Sequence, residues 1–268
     1  MQTIVITGAA GSVGSYLRQT MPSNYHLRLS DVQDITDLKH NESFVRADVT
    51  DADEMRQLMH GAYGVIHMGG LAKEHDWPSI QKVNIGGTVN VYEAARINNV
   101  ERIVVPSSNH AVGFYPRSQK LKNEVLLRPD SRYGISKAFA ELTGSLYADK
   151  YGIKTLAIRL GNVADKPVDR RRLSLWMSPR DLQQQVDIGL QHPDLHFAVV
   201  YGVSGNTRSW YDDETATSLG YVPQDNSEDY AQEVLANSPA LDESSVSDQM
   251  QGGDFCSVEF GGGAALTK

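Results

Sequence analysis

Short apolar, β-branched runs alternate along this chain with longer segments whose apolar positions recur every three or four residues. TIVITG, HLRLSD, FVRAD, GVIHMGG, RIVVPSS, TLAIRLGNV and HFAVVYGV read as strands. SIQKVNIGGTVNVYEAARINN and SKAFAELTGSLYADKYG read as helices between them. That alternation predicts an α/β fold of the Rossmann type, a doubly wound, mostly parallel sheet flanked by helices. No internal repeat is present. After Gly202 the rhythm weakens, and NSPALDESSVSDQM and GGGAALTK read as polar, irregular terminal chain.

With 268 residues, the chain can form one large domain with a full core. Lys and Arg number 25 against 33 Asp and Glu, a net charge of -8, so nucleic acid gains no general attraction and an acidic ligand needs a local basic site. The single cysteine, Cys256, has no partner for an intrachain disulfide, and no Cys/His cluster has metal-ligand spacing, so no metal is expected. The longest apolar runs are strand-sized, which excludes a helical membrane span, and the first strand begins too close to Met1 for a secretory signal. A cytoplasmic protein is expected.

TGAAGSVGS sets Gly8, Gly11 and Gly14, with Ser12 and Val13 between them, at a strand-to-helix turn where a pyrophosphate can approach a helix N-terminus. About twenty residues on, the second strand ends in Asp31, placed to bind both adenosine ribose hydroxyls and to repel a ribose phosphate. Val32 and Gln33 follow rather than arginine, which favours NAD over NADP. Asp48 and Val49, read as ending the third strand, are candidates for the adenine edge, although Asp48 competes with Asp51 as cap of the helix beginning near Ala52. Gly69 and Gly70 let backbone pass close to the cofactor, and His67 reads as a packed core residue. Residues 1–160 are therefore assigned mainly to the cofactor. Residues 161–268 of the same domain supply substrate-facing segments and an irregular C-terminal tail.

In RYGISKAFAE, Tyr133 and Lys137 are four apart and share a helix face, ~5–6 Å between Cβ atoms. An ammonium there stabilises a phenolate. A tyrosine base near neutrality needs its pKa of about 10 lowered by roughly two to three units, ~3–4 kcal/mol, which Lys137 and an oxidised nicotinamide can supply together. PSSNH closes the fifth strand with Ser108, Asn109 and His110, a run of hydrogen-bonding groups suited to adjacent hydroxyls. DRRRLSLWMSP puts Arg170, Arg171 and Arg172 on a loop of an otherwise acidic chain, where a guanidinium fork binds a carboxylate.

Glycine turn, strand-end serine and Tyr/Lys pair, in this order, resemble the extended short-chain dehydrogenase/reductase superfamily over nearly the whole chain. The resemblance implies that Ser108 positions the reacting oxygen, Tyr133 exchanges its proton, and Lys137 binds the nicotinamide ribose. It also matches Asn84 in VNIGGTVNV to a helix asparagine that supports a water-mediated proton relay; a helix-bending polar residue is the alternative. SSNHAVGFY, RYGISKAFAE, RLGN and DRRRLSLWMSP together resemble one branch, the uronate dehydrogenases, across residues 1 to 260. This implies NAD-dependent oxidation of hexuronic acids, D-glucuronate and D-galacturonate, at the anomeric carbon to aldaric acid lactones. It implies further that Ser108, Asn109, His110 and Asn162 meet the sugar and that Arg171 grips its carboxylate. Ala72 and Asn162 stand where the branch carries serine. Relatives of this superfamily often self-associate, so a homo-oligomer is expected. Two other readings remain open from sequence: a nucleotide-sugar epimerase or dehydratase, and a non-catalytic dinucleotide sensor.

Overall fold

In the computed structural model, which describes residues 1–262, the first half of the chain winds as anticipated. It runs β1 (Gln2–Thr7), α1 (Ser12–Thr20), β2 (Tyr25–Asp31), β3 (Glu42–Arg46), α2 (Ala52–Leu58) and β4 (Gly64–His67). Next come α3 (Trp77–Ile80), a π-helical stretch (Gln81–Gly86) and α4 (Gly87–Ile97) in one continuous rod, then β5 (Arg102–Ser108) and a 3-10 turn (Asn109–Val112). α5 (Arg132–Tyr151), β6 (Lys154–Leu160), β7 (Asn162–Val163), α6 (Arg172–Leu175) and β8 (Trp176–Met177) follow. The chain continues through α7 (Pro179–Gln191), β9 (Phe197–Gly202), α8 (Glu214–Ser218), α9 (Ala231–Asn237), α10 (Val246–Gln249) and α11 (Asp254–Ser257).

Seven strands form one sheet in the order β3-β2-β1-β4-β5-β6-β9, with every neighbouring pair parallel. A strand sends successive side chains to opposite faces, so a parallel strand covered on both sides is apolar at every position. Thus Ile4, Ile6, Leu27, Leu29, Val104, Leu156 and Ile158 pack with Leu17 of α1 and Leu182, Val186 and Leu190 of α7. Val5, Val65, Ile103, Val105 and Ala157, the alternate residues, pack with Met55 and Leu58 of α2, Val91 and Tyr92 of α4, and Ala140 and Tyr147 of α5. Register aligns the strands' carboxyl ends: Thr7 lies beside Ser30 and His67, and Ser108 beside Leu160. The order reverses between β1 and β4, which opens a crevice where those ends meet. No helix of the described residues is long and apolar enough to cross a membrane.

Two expectations need correction. β3 stops at Arg46, so Asp48 and Val49 lie in the turn beyond it, and Asp51, not Asp48, caps α2 by accepting from the Asp53 and Glu54 amides. Arg172 is not in a loop but opens α6. After Gly202 short helices are separated by irregular chain, and the last described part is sewn to the body: Gln251 N donates to Tyr115 O and Gly252 N to Gly113 O, both at 2.9 Å. Helices of four to seven residues are too short to display an amphipathic period, so the pattern read there as irregular. Residues 263–268 of the expected tail lie outside the described residues.

Candidate active site

Gly8 turns the chain out of β1 at φ +67°, and a Cβ there would sit 2.5 Å from the Met68 carbonyl carbon of the β4 loop. Gly11 N donates to Gly8 O at 3.1 Å, and Ser12, Val13 and Gly14 then form the first turn of α1. Asp31 reaches over this turn: its carboxylate accepts from Ala10 N and from Gln33 N, each at 3.0 Å. Thr7 Oγ1 ties the crevice walls, lying 2.8 Å from His67 Nδ1 and accepting from Gly69 N at 3.1 Å. Burial holds His67 neutral, with its pKa pushed down to about 3, as a packed residue. Val49 lies against the backbone of Gly69 and its carbonyl accepts from Asn90 at 2.9 Å, while Asp48 accepts from Thr50 N at 2.8 Å. A bare-backbone turn with a carboxylate drawn across it fits the pyrophosphate and ribose of NAD.

Ser131 caps α5 by accepting from Gly134 N, and that start sets Tyr133 and Lys137 one turn apart facing β5. Lys137 Nζ lies 5.4 Å from the Tyr133 ring centre. Burial pushes the Tyr133 phenol up to about 12, opposed by a hydrogen bond with Ser108. Burial also pushes the Lys137 ammonium down to about 8. Burial thus works against the lowering of the phenol that is expected from Lys137 and an oxidised nicotinamide together. The Asn84 amide is hydrogen-bonded at both ends. Its Oδ1 accepts from Leu71 N at 2.8 Å, and its Nδ2 donates to Leu71 O and Ser136 Oγ, both at 3.0 Å. It sits in the π-helical stretch, ties the β4 loop to α5, and borders a small cavity shared with His67 and Lys137.

Beyond Ser108, a cavity of about 790 Å³ is lined by Ala72, Asn109, His110, Asn162 and Arg171 together. Arg171 Nε donates to Gln251 O at 2.8 Å, and Nη2 donates at 2.8 Å to Asn109 Oδ1 when the Asn109 amide also donates to Leu160 O. Among the described residues no carboxylate pairs with Arg171, whereas Arg172 pairs with Asp169 and Arg117 lies 3.6 Å from Asp248. Burial, with the neighbouring Arg172 and Arg117 cations, lowers the pKa of the Arg171 guanidinium.

The sequence profile described as the NAD dependent epimerase/dehydratase family matches residues 4–175. The uronate dehydrogenase of Pseudomonas putida is 39% identical, with 94% of this chain and 94% of that protein covered. The crystal structure of a glucuronic acid dehydrogenase from Chromohalobacter salexigens superposes with a TM-score of 0.92 at 40% identity, covering 96% of this chain and 97% of that one. A mutant uronate dehydrogenase from Agrobacterium tumefaciens, complexed with NAD, gives a TM-score of 0.92 at 34% identity over 96% and 97% of the two chains. This chain belongs to the NAD dependent epimerase/dehydratase family and, within it, to the uronate dehydrogenases.

Several residues around this uronate dehydrogenase cavity carry no signal in the sequence. Phe255 stacks on His110 with centroids 3.9 Å apart and lies 5.9 Å from the Tyr133 ring. Gln251 holds Arg171 through its backbone carbonyl, and Asp130 lies 2.7 Å from His110 Nδ1. Glu74 accepts from Tyr133 N at 2.9 Å and pairs with Arg132, which also binds Glu259. Each comes from a short segment without periodicity, and only folding brings it to the strand ends.

Proposed function

We propose that this protein oxidises D-glucuronate and D-galacturonate at the anomeric carbon to aldaric acid lactones, using NAD. The observation that carries the reading is Arg171: an arginine with no carboxylate partner among the described residues, held by Asn109 and Gln251 in a cavity that His110 also lines, with the His110 ring 5.8 Å from that of Tyr133. NAD lying along Gly8, Gly11, Gly14 and Asp31 supplies the hydride acceptor. Arg171 engages the uronate carboxylate in a fork, which fixes the ring within the cavity. Asn109, His110 and Asn162 meet ring hydroxyls, while Ala72 offers no side-chain hydrogen bond. Ser108 holds the anomeric oxygen and Tyr133 takes its proton. The protein raises the phenol rather than lowering it, so the cations Lys137 and oxidised nicotinamide must offset that burial before Tyr133 acts as base. Because the ring oxygen stays attached to the oxidised carbon, the product is a lactone.

The same reading makes residues 1–268 one Rossmann-type domain, with cofactor binding mainly before residue 160. It places the enzyme in the cytoplasm as a homo-oligomer. Exposed Leu142 and Leu146 on α5 and Val89 on α4 support self-association. NADH formation by purified protein tests the activity, with D-glucuronate and D-galacturonate compared against glucose and UDP-glucose. Reduction of NAD by the free uronates alone is expected, and Tyr133→Phe is expected to lose about 10²- to 10⁴-fold in turnover while still binding NAD. Reduction by UDP-glucose in place of uronates would overturn the substrate assignment.

A further inference from the structure

His110 is fixed on every side but one. Its backbone N donates to Ser108 Oγ at 3.1 Å, and its carbonyl accepts from Asp130 N at 3.2 Å. One face of its ring stacks on Phe255. Nδ1 lies 2.7 Å from Asp130 Oδ2, and the Asp130 side chain has no exposed surface. The other Asp130 oxygen accepts from the Ser131 hydroxyl at 2.7 Å. Room for this carboxylate depends on missing side chains, since a Cβ at Gly113 or Gly252 would overlap it. Among the described residues His110 Nε2 has no hydrogen-bond partner, and His110 lines the cavity beside Asn109 and Arg171.

We propose that Asp130 is a positioning residue that holds His110 in the tautomer with the proton on Nδ1, so that bare Nε2 accepts a hydrogen bond from a substrate hydroxyl. A carboxylate only accepts, so the nitrogen facing it carries the proton, and a neutral imidazole then keeps its lone pair on the other nitrogen. Beside Arg171 and Asn109, His110 supplies the uncommitted acceptor of the three. Arg171 only donates, and both ends of the Asn109 amide are engaged by Leu160 and Arg171. A sugar hydroxyl facing His110 is thus selected as a donor, a role that fluorine or a methyl ether at that carbon cannot fill.

This inference takes its substrate from the uronate reading, but the tautomer is independent of it. The test uses the full chain with NAD. Long-range ¹H–¹⁵N correlation spectra, assigned with His110→Gln, report which ring nitrogen is protonated. Steady-state kinetics compare wild type and Asp130→Asn on D-glucuronate and its 2-, 3- and 4-deoxyfluoro analogues. The expected spectrum has a protonated Nδ1 and a bare Nε2. One fluoro analogue is expected to lose about tenfold or more in kcat/KM with wild type. Asp130→Asn, whose amide can donate to Nδ1 and move the proton to Nε2, is expected to raise the uronate KM by about tenfold, leave NAD affinity unchanged and shrink that analogue's penalty. A proton on Nε2, or on both nitrogens, in wild type overturns the proposal, as does an Asp130→Asn enzyme with unchanged KM. If Asp130→Asn does not fold, the wild-type spectrum and analogue series still decide. Failure of wild type to oxidise any uronate would sink the substrate reading and leave the tautomer to be read from the spectrum.

Discussion

Lys137 is stabilising for chemistry and costly for the fold. Its ammonium is buried beside Tyr133, with its pKa pushed from 10.5 down to about 8. Between those values the unfolded chain binds a proton that the folded chain does not, so this group makes stability rise as pH climbs from about 8 toward 10.5. Below that window the charged form carries its full desolvation penalty. Lys137→Met is expected to gain up to ~3 kcal/mol of unfolding free energy at pH 7 and to lose this part of the pH dependence, while turnover collapses. Urea denaturation at pH 7 and pH 9.5, without cofactor, checks it; an unchanged midpoint at pH 7 would refute the penalty. Residues such as Tyr133, Lys137 and Ser108 were legible because each lies at a fixed spacing within one helix or at one strand end. Asp130 and Phe255 were not, because each meets His110 from a separate stretch of chain with no local pattern.

α5 carries the Tyr/Lys pair, so its seating on the sheet decides the geometry. Arg159 of β6 and Glu141 of α5 form a fork of 2.8 and 2.9 Å with both side chains nearly inaccessible, and Ser107 of β5 donates to the same carboxylate. Arg159→Met leaves that carboxylate buried without its cation and is expected to cost about 3–5 kcal/mol. Thermal unfolding of the variant measures it, and a loss under 1 kcal/mol would show that α5 is held by packing alone. A smaller contrast separates capping from cofactor binding around α2. Asp51→Ala is expected to cost about 1 kcal/mol of stability and leave the KM for NAD unchanged, because Asp51 accepts from two helix amides. Asp48→Ala is expected to do the reverse, raising the KM for NAD with little change in melting temperature. Equal effects of the two on NAD would refute a contact between Asp48 and the adenine. The strands and long helices were readable from periodicity alone, whereas which aspartate capped α2 depended on where β3 ended, a boundary that periodicity leaves loose.

At the scale of the molecule, the sheet's carboxyl edge is shared between two ends of the chain. The first half builds the crevice of β1, β2 and β4, and the segment after residue 250 closes the cavity that Arg171 lines. Gln251 holds Arg171, Phe255 covers His110, and Glu259 pairs with Arg132 next to Tyr133. None of these contacts touches Gly8, Gly11, Gly14 or Asp31. A chain ending at Met250 is therefore expected to bind NAD with nearly the parent affinity, measured by quenching of intrinsic fluorescence. The same chain is expected to lose about 10²-fold or more in kcat/KM for uronates, because Arg171 and His110 lose the groups that orient them. Comparable loss of NAD affinity would show that the two ends do not act separately, and the assignment of substrate binding to the later part of the domain would fall with it.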